Sequence, residues 1–350
     1  MRIIGIDVLN VTDVGMSVRY VTQENRWEYV LANPGGSSIP AFLPAASALL
    51  ALALHRILPM NAQFMEKPLP YYTLFMGASF VVFLGLACLS FFNRGLRRWL
   101  LHKSYFFAVL YLLINLYNLV TLKWNLIPSL FFAYPDKILA VYYNDWFFLL
   151  RCVGHSLGLL FTGAFIGVTT GVLTGIAVGW SPRVHYWVQP FIKCIGPIPS
   201  TAWIPIALIV YPTTFSASAF LIALAVWFPT TVLTSSGIQN VEKSYFEVAS
   251  ILGAKPGRQI LRVAIPGAMP SMFIGFFNGT CTAFLALMSA EMLGVKFGLG
   301  WYINWKREVM EYANVYAGLI LIAIICSLLL TLLFKARARA LKWQRGLIRW

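Results

Sequence analysis

Long apolar runs dominate this chain and limit what it can fold into. A stretch of about 18 or more apolar residues with few charges is typical of a membrane-spanning helix. The chain has 350 residues, of which 59% are hydrophobic and only 11% are charged, whereas a soluble domain has roughly 25% charged residues. The sequence therefore predicts an all-α integral membrane protein with about eight transmembrane helices. The predicted spans are 39–58, 71–92, 104–124, 150–180, 187–211, 216–238, 268–292 and 315–334.

Lysine and arginine are shared unevenly between the segments that join these spans. The alternating set that includes 1–38, 239–267 and 335–350 holds 18 of them, and the opposite set holds 6. Because cytoplasmic loops carry an excess of basic residues, both termini and the 239–267 segment are expected in the cytoplasm. The same bias accounts for the net charge of +15, so nucleic-acid binding is not predicted. Loose alternation over residues 11–30 predicts a small hairpin.

Cysteine and histidine do not form the clusters that metal binding or acid–base catalysis requires. The sequence has no CxxC pair, so the cysteines are predicted to be small buried apolar residues. No metal site, no cofactor of its own and no catalytic residue is predicted for this chain. The residues concerned are Cys88, Cys152, Cys194, Cys281, Cys326, His55, His102, His155 and His185.

Glycines repeat at intervals of four along the fourth predicted span. Residues four apart lie along one ridge of a helix, and a ridge of small residues lets another helix approach closely. The pattern predicts a groove that packs against a neighbouring span. The residues are Gly163, Gly167, Gly171, Gly175 and Gly179.

Prolines and one acidic residue interrupt the later spans. In lipid, the carbonyls that an interior proline frees need protein or water partners, and interrupted helices are typical of transport pathways. A pathway role and a simple packing kink both stay open. Glu291 is a candidate for a structural or gating role, and solvation near the membrane interface is the alternative. The candidate pathway or gating residues are Pro197, Pro199, Trp203, Pro229, Glu291 and Met292.

The stretch "EVASILGAKPGRQILRVAIP" at 247–266 is polar although apolar spans flank it on both sides. Ser244 and Glu247 have the S-x-x-E spacing of a capping box, which predicts a helix start. Gly253 predicts a left-handed turn that ends this helix, and Pro256 suits the first turn of a second helix. Pro266 is predicted to close that second helix before the next span. The segment is thus predicted to be a two-helix element that docks onto a partner.

The spacing within this stretch resembles the cytoplasmic loop of binding-protein-dependent ABC importer permeases. That family has the pattern E-A-A, three residues, G, nine residues, I-x-L-P. This sequence has "EVA" at 247–249, Gly253 and "VAIP" at 263–266, with apolar exchanges at three positions. "GPIPSTAWIPIALIVY" and "SAEMLGVKFGLGWYI" are further points of similarity to the nitrate, sulfonate, taurine and bicarbonate permeases. The resemblance covers residues 104–335.

The resemblance implies a fold and a set of partner subunits with separate roles. It implies a six-helix type I importer core at 104–335. Outside the resemblance, the apolar runs and the basic residues predict a cytoplasmic segment at 1–38, two extra helices within 39–103 and a basic cytoplasmic tail at 336–350. The resemblance also implies a multi-pass protein of the bacterial inner or cytoplasmic membrane. Its partners would be two ATPase subunits, which bind ATP and magnesium, a second permease copy in a homodimer and an external binding protein. The implied coupling residues are Glu247, Ala249, Gly253, Ala254 and Pro266.

The transported solute stays open at this point. The resemblance suggests a small anion, yet no arginine or lysine is clearly placed in mid-membrane to meet one. A pyrimidine-like thiamin precursor or an amine, carried by the same architecture, is the alternative. A secondary transporter driven by an ion gradient would need polar relay residues in several spans, and only Glu291 and Lys193 approach that. No G-x-x-x-x-G-K-[ST] motif is present, so the chain is not expected to hydrolyse ATP itself.

Overall fold

A computed structural model describes residues 39–59, 70–128, 130–293 and 295–342 of the chain. Within these ranges the chain is helical and forms no strand. The predicted hairpin at 11–30 and the end of the basic tail, 343–350, lie outside the described residues. The chain divides into two compact units, with the change between them after Leu119.

The first unit contains three long helices. A 3₁₀ turn (Ile39–Phe42) leads into α1 (Leu43–Ile57), which is followed by α2 (Tyr71–Leu89) and α3 (Arg94–Asn118). Asn93 begins α3, because its side-chain oxygen accepts a hydrogen bond from the Gly95 amide at 2.9 Å. A buried contact of 3.0 Å between Asn118 Nδ2 and His55 Nδ1 joins α3 to α1. The predicted domain limit at residue 103 lies inside α3.

The second unit contains the remaining helices. In chain order these are a π-helical turn (Leu119–Lys123), α4 (Pro135–Asn144), α5 (Trp146–Trp180), α6 (Pro182–Ile195), a 3₁₀ turn (Ser200–Trp203), α7 (Ile204–Val210), α8 (Thr214–Gln239), α9 (Lys243–Ile251), α10 (Pro256–Gln259), a π-helical turn (Ile260–Ala264), α11 (Ile265–Leu293), α12 (Leu299–Glu308) and α13 (Tyr312–Ala340). Its main core lies where α5, α8 and α11 meet, around Leu159, Ile222 and Ala283.

Seven helical stretches among the described residues are long and apolar enough to cross a membrane. An eighth results if α6 and the Ser200–Val210 segment count as one span, although the two parts are bent by 87°. The prediction of an all-α membrane protein with about eight spans is therefore confirmed. The interruption that the prolines predict in the fifth span, 187–211, is present: Pro197 and Pro199 lie in the break, and neither can continue a helical hydrogen-bond ladder.

The glycine ridge on α5 packs directly against α8, as its spacing predicts. A Cβ atom added at Gly163 would lie 2.6 Å from Ile222 Cβ, and one added at Gly175 would lie 2.6 Å from Thr234 Cβ. Real Cβ atoms do not approach other atoms this closely, so no side chain fits at these positions. Because these glycines have no side chains, the backbones of α5 and α8 can approach closely, as small residues allow at other contacts between membrane helices.

Candidate functional site

The 243–266 loop begins with α9, whose start differs from the prediction. The residue that precedes the helix is Glu242, and no side chain caps it. Ser244 lies in the first turn of α9 instead of before it, so its hydroxyl is not placed to form the predicted capping box with Glu247. The preceding helix, α8, ends at Gln239, and α9 begins at Lys243, ahead of the residue that the S-x-x-E spacing indicated.

The end of α9 is the left-handed turn that Gly253 predicts. Gly253 has φ of +75°, a conformation that a residue without a Cβ adopts at little cost. Its amide donates to the Ser250 carbonyl at 2.9 Å, and the Ala254 amide donates to the Ala249 carbonyl at 2.9 Å. This pair of bonds is a Schellman motif. The alanines at 249 and 254 are thus the two ends of the bond that closes the turn.

Gln259 holds the two helices of the loop together, and sequence reasoning missed it. Its Nε2 donates to Ser250 Oγ at 2.9 Å and to the Ala254 carbonyl at 3.0 Å. Ser250 Oγ in turn donates to the Phe246 carbonyl at 2.8 Å. A side chain on α10 therefore bonds both α9 and the turn, which fixes the angle between the helices. In the sequence, the only indication of these hydrogen bonds is that position 259, on the second helix, is polar.

The second helix does not stop at Pro266, and this part of the prediction is wrong. Residues 256–293 form one continuous helical stretch. Its π-helical turn at Ile260–Ala264 contains a bond from the Ile265 amide to the Ile260 carbonyl. Pro266 lies directly after this wider turn and lacks the N–H that a regular helix would use there. The loop is therefore joined to the α11 span without a break.

The two faces of α9 differ in burial. Phe246 packs toward the membrane helices, where its ring lies 5.7 Å from that of Trp180. The other face exposes apolar side chains to a degree that is unusual outside a span: Ile251 is 84% exposed and Leu252 is 80% exposed. Glu247 is also exposed. Exposed apolar patches of this kind mark contact surfaces for other molecules.

The predicted pathway residues do not form one site. Pro197 and Pro199 are exposed in the break after α6, while Pro229 is half-buried in α8. The carbonyl of Pro229 faces α11, where it would lie 3.3 Å from a Cβ at Gly275. Trp203 is half-buried and packs on a cluster that includes Ala290, the residue before Glu291. Met292 is half-buried at the end of α11.

Glu291 is fully buried, with no exposed surface, so the alternative of a solvated carboxyl group is wrong. Its Oε1 accepts a hydrogen bond from Ser156 Oγ at 2.6 Å, and its Oε2 accepts one from the Gly300 amide at 2.7 Å. Ser156 Oγ also accepts from the Leu299 amide at 2.9 Å. The carboxyl group therefore joins α5, the end of α11 and the start of α12. Ser156 carries no sequence signal that could have identified it.

The backbone around this carboxyl group leaves no room for side chains. Gly298 has φ of +132°, and an added Cβ would lie 2.3 Å from Glu291 Oε1. An added Cβ at Gly300 would lie 2.8 Å from Glu291 Cβ. The "GLG" at 298–300 therefore lets the chain wrap closely around Glu291. We refer to Ser156, Glu291 and residues 298–300 as the Glu291 cluster.

A neighbouring set of contacts anchors α12 and α13. Asn314 Nδ2 donates to the Tyr302 hydroxyl at 2.9 Å, and Tyr302 is fully buried. Burial raises the pKa of the Tyr302 phenol above its usual range, so the group stays protonated. Tyr142 on α4 donates to the Ala317 carbonyl at 2.7 Å. These bonds fix the helices that surround the Glu291 cluster.

The bundle of spans and its structured loop define a multi-pass membrane protein. The sequence model of the family described as "Binding-protein-dependent transport system inner membrane component" matches residues 167–342. The chain therefore belongs to this family, and it is the permease subunit of an ATP-binding-cassette importer. The resemblance that the 247–266 spacing indicated is confirmed, and the subunit is a membrane component and not a catalytic one.

Three relatives show how the similarity is distributed. The putative aliphatic sulfonates transport permease protein of Bacillus subtilis (strain 168) is 30% identical over 53% of this chain and 67% of its own length. The taurine transport system permease protein of Escherichia coli (strain K12) is 28% identical over 65% of this chain and 86% of its own. The nitrate import permease protein of Leptolyngbya laminosa is 28% identical over 48% of this chain and 62% of its own.

Proposed function

We propose that this chain forms the translocation pathway of an importer and couples it to separate ATPase subunits through the 243–266 loop. The observation that carries the proposal is the exposed apolar face of α9. That face is presented on a helix whose end is fixed by the Gly253 turn and whose angle is fixed by Gln259. A rigid element with an apolar outer surface is suited to insertion into a cleft of a partner.

The continuous helix from Pro256 to Leu293 supports the coupling step. Because Gln259 lies on this stretch and bonds both Ser250 of α9 and the turn at Ala254, a displacement of α9 would be passed to α11. A partner that holds α9 differently in two nucleotide states would then favour two arrangements of the spans, since a ligand shifts an equilibrium only through differential contacts. ATP and magnesium would be held by the ATPase subunits and not by this chain.

The charge distribution supports a topology for the complex. The excess of basic residues supports a topology in which both termini and the 243–266 loop lie in the cytoplasm, where the ATPases would act. The opposite ends of the spans, including the Glu291 cluster, then face the external binding protein. The membrane is a bacterial inner or cytoplasmic membrane. A second copy of this chain would complete the pathway as a homodimer, and lipid would cover the remaining outer surfaces.

The solute is proposed to be a small anion. Sulfonates, taurine and nitrate appear in the names of the three relatives described above. Each of these compounds carries a negatively charged oxygen group. A pyrimidine or amine carried by the same architecture is the competing possibility. An equilibrium binding assay with the external binding protein of this importer distinguishes an anionic solute from a pyrimidine or amine, because it shows which compound that protein retains.

Co-purification of the partner ATPase with tagged permease variants tests the docking step. Leu252→Asp adds a charge to the exposed apolar surface at the end of α9 and is expected to abolish retention of the ATPase while the permease stays monodisperse in detergent. Ser244→Asp is the matched control, because it adds the same charge to the first turn of α9, where a negative charge is tolerated. Equal ATPase retention by both variants would show that α9 is not the docking element.

A further inference from the structure

We propose that Arg151, His155 and Phe297 form a binding site for the anionic group of the solute at the external mouth of the pathway. These three residues line an open depression of about 300 Å³. This volume is at the lower end of the range of roughly 300–1,000 Å³ that small-molecule sites occupy. The inference rests on the proposed importer function and topology and adds the residues that receive the solute.

Arg151 supplies the charge. It lies in the second turn of α5 and is exposed. Its guanidinium group is always protonated and presents a planar set of donors that fits sulfonate, nitrate and carboxylate oxygens. His155 follows four residues later, so the two side chains lie on the same face of α5. The depression is therefore lined by two nitrogen-bearing side chains of α5 and by the aromatic ring of Phe297.

The ring of His155 is held in a fixed direction. It makes an edge contact with Phe215, with ring centroids 6.2 Å apart and planes at 86°, and it lies 6.3 Å from the ring of Phe297. Its Nδ1 atom is buried and has no hydrogen-bond partner among the described residues. Because orphaned N–H donors are rarer than orphaned acceptors, the proton is assigned to Nε2. In the proposed site, Nε2 would be the nitrogen that donates to a ligand, since His155 lines the depression.

The Glu291 cluster joins the two segments that line the depression. His155 precedes Ser156, and Phe297 precedes Gly298, so each segment is one residue from the cluster. Ser156 bonds both Glu291 and the Leu299 amide. The only acidic group in this cluster has both oxygens engaged by Ser156 and Gly300 and is fully buried. An anion in the depression would therefore meet donors on a rigid frame, which reduces the ordering cost of binding.

The position of Arg151 agrees with this role. A charged side chain that faced lipid would be costly or would extend to the headgroups. In the proposed topology α5 begins at the external side, so Arg151 lies where the binding protein releases its solute. Lys296 is next to Phe297 in sequence and is exposed, but it does not line the depression. It is therefore a matched control for the general effect of positive charge on this side.

The test uses the complete transporter, with its ATPase and binding protein, in proteoliposomes, and taurine, methanesulfonate and nitrate as uptake probes. Arg151→Gln is expected to lower uptake at saturating binding protein by at least about tenfold, the loss typical of one charge-assisted hydrogen bond. Arg151→Lys keeps the charge but loses the planar donors, so its uptake is expected to fall between those of wild type and Arg151→Gln. Lys296→Gln is expected to behave as wild type. His155→Phe keeps the ring contacts, removes the donor and is expected to lower uptake. Basal ATP hydrolysis should not change in Lys296→Gln, which lies outside the depression.

Two results would contradict the proposed site. The first leaves the importer function intact, and the second also contradicts the proposal that the solute is an anion. If wild type imports a probe and both Arg151→Gln and His155→Phe match it, the anion site is wrong and the importer function stands. If wild type imports none of the anions but imports an amine or a pyrimidine, the anion class and the site are both wrong. ATPase retention and stimulation, measured in the same preparations, show separately whether the permease is coupled.

Discussion

The two ends of the helical stretch from Pro256 to Leu293 are built in opposite ways. At one end, the 243–266 loop exposes apolar side chains and holds its shape with backbone bonds and one glutamine. At the other, the Glu291 cluster buries a carboxyl group and meets each of its oxygens with a donor. An apolar group left in water invites a partner, whereas a fully bonded buried polar group joins elements of one chain. The first end is therefore suited to docking and the second to a fixed frame.

The largest effect on the folded permease is expected from a substitution in the glycine ridge, where α5 packs against α8. Gly171→Leu would place a side chain where a Cβ already lies 2.8 Å from Thr230 Cβ, so α5 and α8 must separate, at a cost of about 3 kcal/mol or more. We expect loss of monodisperse protein in fluorescence-detected size-exclusion chromatography. Gly158→Leu on the same helix is the control, because no atom lies within 4 Å of its Cβ position. Similar profiles for both variants would contradict the packing account.

A smaller loss of stability is expected from the Glu291 cluster itself. Glu291→Ala leaves the Gly300 amide without an acceptor, which costs about 1–3 kcal/mol. Glu291→Gln keeps one acceptor oxygen and should lose less. Survival of monodisperse permease after heating in detergent measures both. If Glu291→Ala survives heating as well as wild type does, the Glu291 cluster does not stabilise the fold. The proposed contrast between a docking end and a fixed end would then be wrong for the fixed end.

A local effect without loss of global stability is expected from the loop. Gln259→Ala removes the bonds to Ser250 and Ala254, worth about 1 kcal/mol at this exposure. Hydrogen exchange of the 250–254 amides should become about fivefold faster, while thermal survival stays the same. Arg258→Ala, one residue away and exposed, should leave the exchange unchanged. A fall in thermal survival for Gln259→Ala would mean that the loop contributes to the global stability of the permease, as the Glu291 cluster is expected to do.

The smallest effect is expected at Ser244, where sequence and structure disagree. Because no side chain caps α9, Ser244→Ala should change neither exchange in α9 nor ATPase retention. A working capping box would instead cost about 1 kcal/mol when removed. Faster exchange at residues 244–247 in this variant would restore the capping box that the spacing predicted.

The sequence predicted what local rules decide. The spans follow from the length of apolar runs, the α5–α8 contact from five glycines in register, and the turn at Gly253 from the backbone freedom of glycine. It could not predict the Glu291 cluster, because Ser156 and Gly300 meet Glu291 only through the packing of distant segments. It failed at Pro266, since a π-helical turn removes the need for an N–H there. Long-range contacts and local helix irregularities were therefore the two sources of error.

Comparing substitutions at two glycines of the loop tests the central claim most directly. Added Cβ atoms meet nothing within 4 Å at Gly253 or at Gly257, but only Gly253 has a positive φ, of +75°. Gly253→Val therefore changes the backbone turn, whereas Gly257→Val changes only surface bulk. The measurement is uptake and binding-protein-stimulated ATP hydrolysis by the reconstituted transporter. The account predicts that Gly253→Val loses both while Gly257→Val keeps them, and normal coupling in Gly253→Val would contradict it.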